Sequence, residues 1–522
     1  MYKPVEQVAQ SLRRYDPDMV LDFISQVSAR RVTNPQRFAT ELAKHNLDER
    51  LHLRHFQLAF VCKLVLHFYE KKRRSRRQRQ FDLDDLVALS QSVVGHQDPN
   101  AYPVNNHESF HRLMIRLAYQ QFPDLYGDGD VLARTHLLYQ TCAQAVGSSR
   151  GYDINKAYKN ATGLTIDQVW DITLAIWGSI QQKGTGMLPG PIRAGDLSKR
   201  ISDIDMEHYL DMFSLNPHDF NSVARSSTYN VDPHETFNPN PLVSWPIIRL
   251  DGNSWMIPIL PYLFRRATEQ AFYDMIKTHG RQFATFFGYV FEDYARRILE
   301  PLGDDHEVIP EQEYMRNGDR VSTCDFIVVK DGDAVLIECK TKRLKLKTKF
   351  TADRELLRND LTDVGKKDGK SSVTHAVRQL YLTERDIRNG CPGLETLRDK
   401  ITGRFHPVVL TLDPYYLANA PYIKSIVAEE LKKGEPQVEH YDWHTMDPRT
   451  FQQLCALAPH KGLTVLLENK SSTTNAMESE MGNFLHNLAT GELGMAFVPV
   501  HPVIKDELNL FLRQVRERYG IS

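Results

Sequence analysis

The sequence predicts a multidomain chain, with an all-helical N-terminal domain followed by an α/β domain. Three observations carry this expectation. Apolar positions recur at helical spacing through about residue 185, and composition shifts at Leu188-Pro189-Gly190-Pro191. From Phe283 onward a helix, a three-strand meander, a second helix and a further strand follow in order, which is an α/β layer pattern. At 522 residues the chain also exceeds one ordinary hydrophobic core.

The helical part shows its periodicity at Met19–Val32, Phe56–Tyr69, Leu113–Tyr119 and Val169–Ile180, with breaks at Asp98-Pro99-Asn100, Gly127-Asp128-Gly129 and Gly184-Thr185-Gly186. Residues 1–188 therefore read as one helical domain, without a solenoid repeat. Residues 189–275 read as a connector rich in Asn, Pro and Ser. Within it Leu242–Leu250 and Trp255–Leu260 flank Asp251-Gly252-Asn253, a hairpin signal, and helical spacing resumes over Tyr262–Met275. Residues 276–470 form the α/β domain and 471–522 a C-terminal helical extension that closes with Ile504–Tyr519.

In the α/β domain Phe283, Phe287, Val290, Phe291, Tyr294 and Ile298 make one apolar helix face. Extended runs follow at Glu307–Tyr314, Thr323–Lys330 and Ala334–Thr341, the last two joined by Asp331-Gly332-Asp333. A helix containing Val373, Ala376, Val377 and Leu380 precedes a buried strand at Pro407–Leu412. Ala418–Leu431 is expected to be helical and Leu463–Leu467 to be another strand.

Charge and cysteine usage narrow the function classes. Lys and Arg (65) nearly cancel Asp and Glu (66), so a nucleic-acid surface has to be a local patch. Six dispersed cysteines without a C-x-x-C pair argue against a zinc ribbon and a disulfide framework. The start MYKPVEQVAQ lacks the pattern of a secretory signal, and Phe56–Tyr69 is too short and polar to span a bilayer. A cytoplasmic location without membrane association is expected. No Walker-type phosphate loop occurs in the sequence.

Chemistry concentrates on the second hairpin. Side chains alternate along a strand, so Glu338 and Lys340 share one face while Cys339 takes the other and points to the core. On the neighbouring strand, the hairpin register is expected to bring Asp325 beside Glu338. Two carboxylates and an ammonium on a half-buried face must pair with one another or with a cation. Mg²⁺, or Mn²⁺, suits such oxygen donors and a phosphate substrate. Lys342, Arg343, Lys345, Lys347 and Lys349 follow at once, as a phosphate-binding rim would. A second basic run, Lys71 to Arg79 with Arg73, Arg74, Arg76 and Arg77, is a further candidate for tracking a nucleic-acid backbone.

Asp325, twelve intervening residues, then Glu338-Cys339-Lys340 resembles the PD-(D/E)XK nuclease superfamily. Phe291-Glu292-Asp293-Tyr294 is similar to that family's preceding helix, and Arg378-Gln379-Leu380 to its following one. Cys324 stands where the motif's name has Pro. The resemblance covers Phe283 to about Leu467 and implies a restriction-endonuclease-like fold with a central mixed sheet flanked by helices. It implies metal-dependent hydrolysis of DNA or RNA, with Glu292, Asp325 and Glu338 as metal ligands. Lys340 would act on water or phosphate, and Gln379 would complete the catalytic set. Cutting both strands of a duplex takes two such sites, which implies a homodimer as one arrangement. Large helical domains fused to this fold often act as sensors, so an anti-phage defence effector triggered by a protein partner through the helical half is one expectation. A catalytically silent nucleic-acid-binding or interaction module on the same fold is the alternative.

Overall fold

The computed structural model describes residues 11–45, 47–48, 53–67, 69, 79–95, 107–121, 128–188, 201–227, 238–250, 254–362, 372–433, 438, 441–473 and 480–519. Two compact units are present, Met1–Leu132 with Asp153–Arg281, and Ala133–Tyr152 with Gln282–Ser522.

The first unit is mainly helical, and local chemistry explains where its helices begin and end. Asp16 caps Pro17–Thr33 by accepting from the Asp18 N–H at 3.0 Å, with Pro17 at the first helical position. Ile166–Lys183 opens on a capping box between Thr165 and Gln168 and stops at Gly184, whose φ of 70° is left-handed. Helix His55–His67 is buried from His55 through Leu66. Among the described residues no helix is long and apolar enough to cross a membrane.

The unit also holds four short strands in the order Met187–Leu188, Trp255–Met256, Ile247–Arg249, Ser214–Leu215. Ile248 pairs with Met256 and Arg249 with Trp255, as the hairpin signal predicts; the turn residues 251–253 lie outside the described residues. Two local expectations change. Helix Asp128–His136 starts inside the predicted Gly127–Gly129 break, and the helical run from Tyr262 is two helices, Leu260–Thr268 and one that begins at Ala271.

The second unit is organised by a five-stranded mixed sheet flanked by helices. Its elements relevant here are α1 (Ala271–Leu299, in this unit from Gln282), β1 (Glu307–Pro310), β2 (Glu313–Arg316), β3 (Asp319–Ser322), β4 (Phe326–Lys330) and β5 (Asp333–Lys340). Then follow α2 (Leu346–Thr351), α3 (Arg354–Leu361), α4 (Val373–Arg388), β6 (Phe405–Thr411), α5 (Pro421–Leu431), β7 (His444–Met446), α6 (Pro448–Lys461), α7 (Leu463–Ser472) and α8 (Pro502–Tyr519). The sheet order is β7-β6-β5-β4-β1, with β5, β6 and β7 parallel and β1, β4 and β5 successively antiparallel. Most residues of β4, β5 and β6 are buried, so these strands read as apolar runs rather than as alternating ones.

α1 departs from helical geometry at Gly280 (φ 51°), and the predicted apolar face from Phe283 to Ile298 is buried beyond it. Two strand expectations are corrected. The run Glu307–Tyr314 is split, because β1 pairs with β4 whereas β2 pairs with β3 in a separate hairpin. Leu463–Leu467 is the first turn of α7, not a strand: the chain turns at Gly462 (φ 84°) and the Leu466 N–H donates to the Gly462 carbonyl at 3.1 Å. A short apolar run carries no period that separates the two conformations. The strand on that side of the sheet is His444–Met446 instead. Helix α5 also starts at Pro421, three residues later than Ala418.

Candidate active site on the β4–β5 hairpin

The hairpin turn sets the register that builds the site. Asp331 and Gly332 both have positive φ (51° and 86°), the pattern of the tight turn whose twist matches two antiparallel strands. From Lys330↔Asp333 the pairing runs one-for-one to Phe326↔Ile337. One position further stand Asp325, just before β4, and Glu338. The charge of Asp325 acts on the Glu338 carboxyl, so the two lie near each other. Asp325 Oδ2 accepts from the Cys339 N–H at 2.6 Å, which fixes it against β5. Lys340, two residues beyond Glu338, donates from Nζ to Glu338 Oε1 at 2.5 Å.

These groups are poorly hydrated and mutually unfavourable. Glu338 is buried, at 6% exposure. Burial pushes the Asp325 and Glu338 carboxyls above the usual range; Asp325 adds to the effect on Glu338, while Lys340 opposes it for both. Glu292 on α1 is pushed up to about 8, first by burial and then by the charges of Asp325, Glu311 and Glu338. Burial works against the Lys340 ammonium, yet Glu338 and Asp325 hold it above its ordinary value. Three carboxyls thus share one ammonium, and the excess negative charge needs protons or a cation.

Glu311, in the link between β1 and β2, is a further carboxylate that the sequence reading missed. Pro310 pairs with Phe326, so the next position sets Glu311 beside Asp325. The charge of Glu311 acts on Asp325 and Glu292, and no local pattern announces it, because it comes near them only through the β1–β4 register.

The other predicted residues are placed as follows. Gln379 on α4 uses Nε2 to donate to the backbone carbonyls of Ser322 (2.6 Å) and Thr323 (3.1 Å), so it bonds to the chain leading into Asp325. Lys342 and Arg343 are half-buried at the end of β5, where the Tyr415 hydroxyl donates to the Lys342 carbonyl at 2.7 Å. Lys345 is exposed, and its backbone N–H is held by buried Asp360 at 2.9 Å, with its ammonium 3.7 Å from the same carboxylate. Lys349 is paired with Asp413. The rim is therefore tied down by two acids that sequence spacing did not reveal. Cys339 is half-buried rather than in the core: it still pairs with Leu410 of β6 but lies beyond the last β4–β5 pair, Phe326↔Ile337; its thiol is pushed up by burial and by the neighbouring carboxylates. Arg73, Arg74, Arg76 and Arg77 lie outside the described residues.

Among the described residues no three His, Cys, Asp or Glu side chains are drawn closely enough together to hold a metal ion as they stand. Mg²⁺, however, is commonly held by one or two carboxylates together with waters and substrate phosphate. Half-buried Asp325 and buried Glu338, short of counter-charge, are a donor set of that kind. Comparison with protein-family models, with curated proteins and with solved structures found no match to this chain.

Proposed function

We propose that this chain is a metal-dependent nuclease that hydrolyses phosphodiester bonds of nucleic acid at Asp325, Glu338 and Lys340. The observation that carries the reading is the placement of half-buried Asp325 and buried Glu338 one position beyond the Phe326↔Ile337 pair, with the Lys340 ammonium bonded to Glu338. The site also resembles the PD-(D/E)XK arrangement in its order along the chain. Asp325 and Glu338 would hold Mg²⁺ or Mn²⁺, with Glu292 beside them. When bound, the cation would neutralise charge developing on the phosphate and acidify water.

The chain's own residues supply the rest. Lys340 is a half-buried, charged donor next to the place where a phosphate oxygen would sit, and it would stabilise negative charge as the attacking oxygen adds. Glu292 holds its proton near neutrality, so entry of a cation would draw that proton off. Lys342, Arg343 and Lys345 extend positive charge from the end of β5 and would engage flanking phosphates.

The test is a cleavage panel of single- and double-stranded DNA and RNA, with Mg²⁺, Mn²⁺ or EDTA. Cation-dependent cleavage of at least one polymer supports the proposal. Cation-independent binding without cleavage would favour a silent binding module instead. Neutralising Arg73, Arg74, Arg76 and Arg77 is expected to weaken substrate binding and to flatten its dependence on salt. Unchanged binding across a salt series would remove that run from the substrate path.

A further inference from the structure

We propose that Thr383 is a positioning residue for the site, acting through a β-bulge that sets the entry of Asp325 into the sheet. This rests on the reading of Asp325 as a cation-holding carboxylate. The β1–β4 ladder is one-for-one from Glu307↔Val329 to Pro310↔Phe326. Beyond it, the Gln312 N–H donates to Thr323 Oγ1 at 2.9 Å and the Thr323 N–H donates to the Gln312 carbonyl at 2.9 Å. Between these two pairings a single residue, Glu311, faces two, Cys324 and Asp325. One extra residue on one strand is a bulge, a device that bends the strand and re-aims a side chain.

A bulge leaves backbone groups without ladder partners, and here helix α4 supplies them. Thr383 Oγ1 accepts the Cys324 N–H at 3.0 Å, and Gln379 Nε2 donates to the carbonyls of Ser322 and Thr323. Positions 379 and 383 are four apart on one helix and so share a face. The helix is itself anchored, since Ala376, Val377 and Leu380 are fully buried and α4 packs on β5 and β6. Thr383 and Cys324 are also fully buried, so no solvent stands by to replace the bond. The helix thus grips the residue immediately before Asp325, while the Cys339 N–H grips the Asp325 carboxylate from the other side. Thr383 touches neither cation nor substrate; its effect passes through the backbone of Cys324.

The experiment measures Mn²⁺ binding by electron paramagnetic resonance to the full chain, as wild type, Thr383→Val, Thr383→Ser and Gln379→Ala. Thr383→Val keeps the shape and removes the acceptor; it is expected to bind Mn²⁺ about tenfold more weakly, the scale of losing a bond that orients a ligand. Thr383→Ser restores the hydroxyl and is expected to return to wild-type affinity. Wild-type affinity in Thr383→Val, or no recovery in Thr383→Ser, overturns the proposal. Should Thr383→Val not fold, Gln379→Ala decides: a similar loss supports the clamp, and unchanged binding overturns it. A wild-type chain that binds no Mn²⁺ overturns the cation site itself, which is a different result from wild-type binding that Thr383→Val leaves untouched.

Discussion

Glu338→Gln is expected to weaken divalent-cation binding by at least about a hundredfold, since it removes one of two neighbouring carboxylates that a hard cation needs. The substitution keeps shape and one carbonyl oxygen, so packing around the buried position is retained. It also relieves the repulsion from Asp325 that helps to push the Glu338 carboxyl up. The cation-free variant should therefore fold, and the lost affinity should not come from unfolding. Titration of Mn²⁺ into both proteins, with circular dichroism alongside, measures the effect. Equal affinities would mean that Glu338 is an ordinary buried acid paired with Lys340.

The second large effect concerns Glu292 and pH. Its folded-state carboxyl is raised to about 8 from an ordinary value of 4.5. A raised acid contributes stability that is fully present below its unfolded value and is lost as pH rises through the folded one. The cation-free protein should accordingly lose stability progressively between these two values. At about 1.4 kcal/mol per unit, the loss amounts to a few kcal/mol. Glu292→Gln stays neutral throughout. It should match wild type near pH 4 and exceed it near pH 8, by roughly 2–4 °C in unfolding midpoint per kcal/mol recovered. Mg²⁺ should narrow the gap by stabilising wild type through binding. Parallel melting curves for the two proteins at both pH values would show instead that Glu292 ionises without strain.

The hairpin carrying Asp325, Glu338 and Lys340 was legible in the sequence because its turn residues dictate its register. Asp331-Gly332 takes positive φ at both positions, and counting outward from it sets Asp325 and Glu338 one position beyond the Phe326↔Ile337 pair. The apolar face from Phe283 to Ile298 was legible for a similar reason, since helical periodicity needs only local residues. What escaped was non-local. Glu311 joins the site through the β1–β4 register, and the bulge at Cys324 depends on Thr383, about sixty residues away along the chain. Asp360 and Asp413 reach the basic rim from a helix and from the chain after β6, and no spacing rule announces either. Leu463–Leu467 misled because a short apolar run suits a buried helix as well as a strand; exposed Val465 within it fits a helix with one face to solvent.

The proposed nuclease activity is tested most directly by single-turnover cleavage with wild type and Lys340→Ala, using whichever polymer the panel identifies. Removing the one ammonium bonded into the site should slow cleavage by about 10²- to 10³-fold, the scale of losing a donor that stabilises developing charge. Mn²⁺ should still bind the variant, because Asp325 and Glu338 remain, and EDTA should abolish cleavage by both proteins. Wild type that leaves all four polymers intact with Mg²⁺ and Mn²⁺, or a Lys340→Ala variant that cleaves at the wild-type rate, would contradict it.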